Sequence, residues 1–151
     1  MRANIKINGM KRVVIVGCGL GGLKLATSLR NSGYQVVIVD KNNYNQFPPL
    51  IYQVASAGLE PSNISFPIRR IFQGYKNYYF RMADVKGIDS KEKSISTSVG
   101  TIHYDYLVLA MGGTTNFFGN KDVEKNSFPM KTVEDGMRLR NHILETLERA
   151  E

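Results

Sequence analysis

Arg12-Val-Val-Ile-Val16 is a short β-branched run halted by Gly17, the pattern of a strand buried on both faces, as parallel sheets require. From Gly21 to Ser32 the apolar positions Leu23, Ala26, Thr27 (through its methyl) and Leu29 recur near a helical period. Gly33 supplies a stop for that helix. Gln35-Val-Val-Ile-Val-Asp40 then repeats the buried-strand pattern, so the chain opens as β-α-β within about 30 residues. A right-handed crossover makes those two strands parallel.

Polar turn residues fill Asn42 to Pro49, and two prolines before Leu50 oppose regular structure, so a long connecting loop is expected there. Pro67 is placed to open a short helix within Asn63 to Phe72, with Ile68, Ile71 and Phe72 on one side and Arg69 and Arg70 facing out. Tyr78 to Ala83 has strand character. Val85 to Tyr104 alternates in short segments around turns at Ser90–Lys93 and Gly100, which predicts a small antiparallel meander with His103 on an exposed hairpin. Tyr106-Leu-Val-Leu-Ala-Met111 reads as a further buried strand of the parallel sheet, ending at Gly112 and Gly113. Thr132 with Asp135 resembles a capping box. It opens an amphipathic helix carrying Val133, Met137, Ile143, Leu144 and Leu147 that is expected to run to Glu151. The fold class is therefore α/β, a parallel sheet with helices and a small antiparallel β-meander. Residues 1–10 are expected to be a flexible lead-in, and residues 11–151 the domain proper.

With 151 residues, 42% of them hydrophobic, the chain can bury a real core. Its longest apolar runs, such as Val13–Val16 and Leu107–Met111, fall far short of the roughly 20 residues that span a bilayer. The opening residues lack the apolar middle of a secretory signal, so a cytoplasmic location is expected. A single cysteine, Cys18, excludes an internal disulfide framework and any two-cysteine redox centre within these residues. The formal charge of +7 favours anionic partners without choosing among them. No nucleic-acid motif accompanies that charge, so no nucleic-acid partner is expected.

Candidate chemistry concentrates at Gly17-Cys-Gly-Leu-Gly-Gly22, which contains G-x-G-x-x-G directly after a predicted strand and at the opening of a predicted helix. Gly17 permits a tight turn, Gly19 lets backbone approach a pyrophosphate, and Gly22 lets the helix pack on the sheet. Free N–H groups and the positive end of the helix dipole can then hold phosphate without any charged side chain. Asp40 lies 18 residues beyond Gly22, at the end of the next strand, where a carboxylate accepts hydrogen bonds from ribose hydroxyls. These residues leave FAD and NAD open. A short-chain dehydrogenase would need Tyr-x-x-x-Lys, and none of the eight tyrosines has Lys four positions on. A disulfide reductase would need a second cysteine.

The segments KRVVIVGCGLGG (Lys11 to Gly22) and VDKNNYNQFPPLIYQVASAGLEPSNISFPIRRIF (Val39 to Phe72) resemble the opening of the type II NADH:quinone oxidoreductases. Asp84-Val85, YDYLVLAMGGTTNFFG (Tyr104 to Gly119) and FPMKTVEDGMRLRNHILETLERAE (Phe128 to Glu151) continue the likeness in order and spacing. The resemblance implies a Rossmann-like FAD-binding domain in a non-proton-pumping enzyme, in which NADH passes a hydride to FAD and the reduced flavin passes electrons to a quinone. By that likeness Gly17, Gly19, Leu20 and Gly22 would line the FAD pyrophosphate, and Asp40 and Lys41 would meet the adenosine. Val85 would meet adenine through its backbone. Ala110, Met111 and Gly112 would pass near the pyrophosphate and ribityl chain, and Pro49 to Gln53, with Gln53 foremost, would approach the flavin ring. Met111 stands where the family commonly has Thr, so a hydroxyl-dependent role there is not carried over. No residue is singled out as catalytic, and no metal ligand set is seen.

The resemblance also implies that these residues are the N-terminal part of a longer enzyme, peripheral to the inner face of the cell membrane. Its NADH-binding segment and C-terminal membrane anchor would lie outside them. The 151 residues alone are then expected to be inactive, to hold FAD weakly if at all, and to expose apolar surface that favours pairing of copies. The alternative from another class is a nucleotide-binding module that senses NAD(H) without catalysis.

Overall fold

The β-branched runs at the start of the chain build a parallel sheet in the protein, described here by a computed structural model covering residues 5, 6 and 8–150. In chain order the elements are β1 (Arg12–Val16), α1 (Leu20–Ser28), β2 (Gln35–Asp40), β3 (Tyr44–Gln46), α2 (Ile51–Ala55), β4 (Ser65–Pro67) and α3 (Ile68–Ile71). There follow β5 (Tyr78–Met82), β6 (Val85–Asp89), β7 (Ser94–Thr97), β8 (Gly100–His103), β9 (Tyr106–Leu109), α4 (Lys121–Lys125) and α5 (Val133–Glu148). The chain divides into two units, one of residues 1–45 and 67–112 and one of residues 46–66 and 113–151.

The first unit is built on a four-stranded sheet in the order β5-β2-β1-β9, and all three pairings are parallel. Side chains alternate between its faces. Val13, Ile15, Val36, Ile38 and Phe80 cluster with Ala26 of α1 and with Ile68 and Phe72 at α3. Val14, Val16, Val37 and Val39 cluster instead with Ile95 and Ile102 of the meander. The sheet is thus covered on both sides, which is why β1 and β2 read as unbroken apolar runs. Val14, Ile15, Val36, Val37, Ile38 and Val39 are fully buried, and each such side chain contributes roughly 1.5–3 kcal/mol. The antiparallel sheet has the order β6-β7-β8.

In the second unit, a 3-10 turn at Pro48–Leu50 leads into α2, and Ile51, Val54, Ile64 and Val133 form the core. Gly136 allows α5 to lie close to α2, since a Cβ there would stand 3.1 Å from Ile51 Cγ2 and 3.2 Å from its carbonyl oxygen. The capping box at the start of α5 is formed: Asp135 N–H donates to Thr132 Oγ1 at 3.1 Å, and Thr132 N–H donates to Asp135 Oδ2 at 3.0 Å.

Several elements differ from expectation. The first helix ends at Ser28 rather than Ser32, because Arg30 and Ser32 N–H groups donate to Thr27 and Leu29 in tight turns and Asn31 takes φ +64°. The segment Asn42 to Pro49, expected as a loop, holds β3 and the start of the 3-10 turn, and α2 follows directly. The strand at Tyr106 is parallel as expected but forms the sheet's edge, so Tyr106 is 46% and Leu109 53% exposed rather than buried. The last helix ends at Glu148, with Arg149 as its C-cap. The helix Lys121–Lys125, capped by Asn120, had no counterpart in the sequence reading. Of the expected lead-in, residues 1–4 and 7 lie outside the described residues, as does Glu151. Ile5 packs on the sheet's second face, and Lys6 C=O accepts from the buried Gln35 side chain at 2.7 Å.

Candidate functional site

All four parallel strands end at one edge of the sheet, and the residues that follow them are level there. Val16 is in register with Val39 on one side and with Leu109 on the other, and Asp40 is in register with Met82. The ladder runs on past the strand ends, as Gly17 N–H donates to Val39 C=O at 2.8 Å and Ala110 N–H donates to Val16 C=O at 2.7 Å. The chain leaves β1 toward β2 on one side and returns as β9 on the other. Such a reversal at the carboxyl ends of parallel strands is where α/β sheets open a ligand crevice.

The glycine turn sits at that reversal. Gly17 has φ +95°, and a Cβ on it would stand 2.7 Å from Ala110 C and 2.9 Å from Met111 Cα. The close passage of Ala110 and Met111 therefore requires glycine at 17. A Cβ on Gly22 would overlap the Gly17 carbonyl oxygen, so α1 can start against the turn only without a side chain. Gly19, the N-cap of α1, is exposed with φ −71°, and a Cβ there would meet nothing within 4 Å. Leu23 N–H is the first to donate back to Gly19 C=O. With no capping side chain, the N–H groups of Leu20 and Gly21 at the helix start face an open, exposed approach. Free amides at the positive end of a helix dipole are suited to an anion.

Asp40 turns its carboxylate to this bend. Its Oδ2 accepts from Cys18 N–H at 2.6 Å, and its Oδ1 accepts from Asn42 N–H at 2.9 Å. Two oxygens offer about four lone-pair sites, so acceptor capacity remains for a pair of hydroxyls. Cys18 itself is buried, and that burial, with a smaller contribution from the Asp40 charge, pushes its thiol pKa up to about 12. Such a thiol is protonated and inert at neutral pH.

Gly17, Gly19, Leu20, Gly22, Asp40, Ala110 and Met111 are thus brought to one sheet edge, with exposed Lys41 following Asp40. Gly112 follows with φ +71° and open space around it, and Met111 is exposed. Val85 begins β6, three residues beyond Met82, half-buried and paired with Thr97. Pro49 and Gln53 belong to the second unit. There Pro49 lies exposed in the 3-10 turn, and Gln53 Nε2 donates to Tyr52 Oη at 3.0 Å while its carbonyl accepts from Gly58 and Leu59. The sequence reading missed Asn45, whose buried amide touches the turn. His103 is exposed as expected. Among the described residues, no group of three or more His, Cys, Asp or Glu is placed to hold a metal ion, and no helix is long and apolar enough to cross a membrane.

A doubly covered parallel sheet with a side-chain-free turn at its switch point and an acidic group one strand over defines a Rossmann-like dinucleotide-binding domain. The chain belongs to the pyridine nucleotide-disulphide oxidoreductase family, whose profile matches residues 11–149. It is 33% identical over 149 residues to the type II NADH:quinone oxidoreductase NdhA of Mycobacterium tuberculosis, a match covering 96% of this chain and 32% of that protein. Among solved structures it resembles the sulfide:quinone oxidoreductase of Aquifex aeolicus, with TM-score 0.84 and 28% identity over 91% of this chain and 32% of that one. It also resembles the Plasmodium falciparum NDH2 solved in complex with NADH, with TM-score 0.84 and 25% identity over 93% of this chain and 30% of that one. The chain thus spans about a third of the length of these relatives. The family is named for disulphide chemistry, which the one cysteine in this sequence cannot perform as an internal pair.

Proposed function

We propose that this chain is the FAD-binding portion of a non-proton-pumping NADH:quinone oxidoreductase. The observation that carries the reading is the contact between Asp40 and the turn, 2.6 Å from Cys18 N–H to the carboxylate, which sets a ribose acceptor beside free helix-start amides. In this reading Gly17, Gly19, Leu20 and Gly22 hold the FAD pyrophosphate, and Asp40 and Lys41 hold the adenosine. The backbone of Val85 meets adenine, and Ala110, Met111 and Gly112 flank the pyrophosphate and ribityl chain. The open space at Gly19 fits a phosphate oxygen, and the spare lone pairs of Asp40 fit ribose hydroxyls. Bound flavin supplies the redox chemistry, accepting hydride from NADH and passing electrons to a quinone. The residues of this chain bind and orient, with the inert Cys18 taking no part. The names of its relatives support NADH and quinone as substrates; a respiratory role on the cytoplasmic face of the cell membrane rests on the family resemblance of the sequence alone.

The test is a titration of the purified chain with FAD and, separately, with NADH, followed by the flavin's visible absorption and fluorescence. Weak but saturable binding of FAD with a shifted visible band is expected. A colourless protein that ignores FAD and binds NADH would replace this reading with an NAD(H)-sensing module. The same preparation, given FAD and a soluble quinone, is expected to oxidise no NADH, because the chain spans only about a third of the length of its relatives. Steady turnover would refute that.

A further inference from the structure

Asn45, in β3, is one of the few buried polar residues among the described residues, 7% exposed. Its Nδ2–H donates to the carbonyl oxygen of Cys18 at 2.5 Å, across 27 residues of sequence. The preceding amide of the same turn is held from the other direction, as Cys18 N–H donates to Asp40 Oδ2 at 2.6 Å. Two successive peptide groups, Gly17–Cys18 and Cys18–Gly19, are therefore each pinned by one side chain from the segment that ends β2 and continues into β3. The described residues contain no cis peptide bond, and in a trans peptide the N–H points opposite to the C=O. Drawing the Cys18 carbonyl inward onto a buried amide turns the Gly19 N–H outward. On that exposed side a Cβ at Gly19 would meet nothing within 4 Å.

We propose that Asn45 is a positioning residue that aims the Gly19 N–H at the dinucleotide pyrophosphate. The proposal rests on the reading that this turn receives a dinucleotide, and it adds to that reading the side chain that sets the turn's direction. The glycines remove side chains from the path of the phosphate, but absence alone does not orient a flexible Gly-Cys-Gly bend. Without Asn45 the buried Cys18 carbonyl loses its partner, and rotation of the Cys18–Gly19 peptide toward another donor becomes the way to satisfy it.

The experiment uses the full chain with Asn45→Leu, which keeps the volume and removes the donor, and Asn45→His, which restores a donor. FAD and ADP affinities are measured by titration, and the Gly19 amide is followed by 15N–1H NMR without nucleotide. For Asn45→Leu the expected result is an affinity loss of about tenfold, ~1.4 kcal/mol. The Gly19 amide should also move while those of Ile15 and Ile38 stay in place, and Asn45→His should recover most of both. A Gly19 amide unmoved in folded Asn45→Leu overturns the proposal, as does wild-type affinity. A fall in melting temperature alone, with neither readout changed, assigns Asn45 to stability only and also overturns it. If the unsubstituted chain binds neither FAD nor ADP, the dinucleotide reading fails. The Gly19 amide then decides the Asn45 claim by itself, movement supporting it and constancy refuting it. Should Asn45→Leu not fold, Asn45→Ala, which also removes the donor, is read by the same two measurements.

Discussion

Gly19 and Gly22 stand three residues apart in one motif, yet the structure gives them opposite burdens, and replacing each with alanine separates binding from folding. At Gly19 a Cβ meets nothing within 4 Å and φ is −71°, a conformation open to any L residue. Losing glycine at the N-cap costs ~1 kcal/mol or less, and the stiffer unfolded chain offsets about 0.4–1 kcal/mol of it. The net change stays within about 1 kcal/mol, a Tm shift of roughly 2–4 °C at most for a chain of this size. The methyl, however, occupies the approach through which a phosphate oxygen must come to about 2.9 Å from an amide nitrogen. FAD and ADP affinity are expected to fall by at least about tenfold, ~1.4 kcal/mol. At Gly22 the same methyl overlaps the Gly17 carbonyl oxygen and lies 3.0 Å from Gly17 C and 3.4 Å from Ala110 Cβ. These are turn and strand-end atoms, held in turn by the close passage of Ala110 and Met111 over Gly17, so relief requires α1 to lift from the sheet. Overpacking of that kind costs about 3 kcal/mol, at the upper end of the usual range, or a Tm drop of roughly 6–12 °C. Thermal unfolding by circular dichroism and flavin fluorescence titration read the two effects separately. Wild-type FAD affinity in Gly19→Ala, or a wild-type melting temperature in Gly22→Ala, refutes the account of the turn.

Asp40→Asn keeps an oxygen for one of the two amides it serves but removes the charge. ADP binding is expected to weaken about tenfold, ~1.4 kcal/mol, while inorganic pyrophosphate, which has no ribose, binds no more weakly; parallel calorimetric titrations check this. Burial pushes the Cys18 thiol from an ordinary 9.0 up to about 12, so its neutral form is the one the fold favours. That contribution is complete below pH 9 and is lost as pH rises toward 12, at on the order of 1 kcal/mol per pH unit. Urea unfolding between pH 9 and 11 should show this slope in the wild type and a shallower one in Cys18→Ala. In the second unit, Thr132→Ala removes the side-chain half of the capping box, and denaturant unfolding is expected to show a loss of ~1 kcal/mol.

What the sequence made legible, and what it hid, follows from the range of the forces involved. The strands Arg12–Val16 and Gln35–Asp40 appear in the structure with the bounds read from the sequence, because burial on both faces writes itself into consecutive residues. The strand at Tyr106 was legible as a parallel partner of β1 but not as an edge. Its pattern resembles that of a central strand, whereas among the described residues it is the last strand of the sheet, and Leu109 is exposed. The helices α2 and α4 have five residues each, too few for a period to declare itself. The helix α1 was drawn too long because Leu29 fits its period, whereas Asn31 at φ +64° obeys the turn into β2.

The same division runs through the candidate site. Gly17, Gly19, Gly22 and Asp40 were visible because they form a spaced motif whose roles are local to a strand end and a helix start. Asn45 was invisible because its bond to Cys18 spans 27 residues and its own segment carries no pattern. A motif announces the surface offered to a ligand, which is made of missing side chains and one acid. The aim of that surface depends on an amide reaching in from elsewhere, so a chain that kept the glycines and Asp40 but lost Asn45 would retain the signature while holding the nucleotide less well.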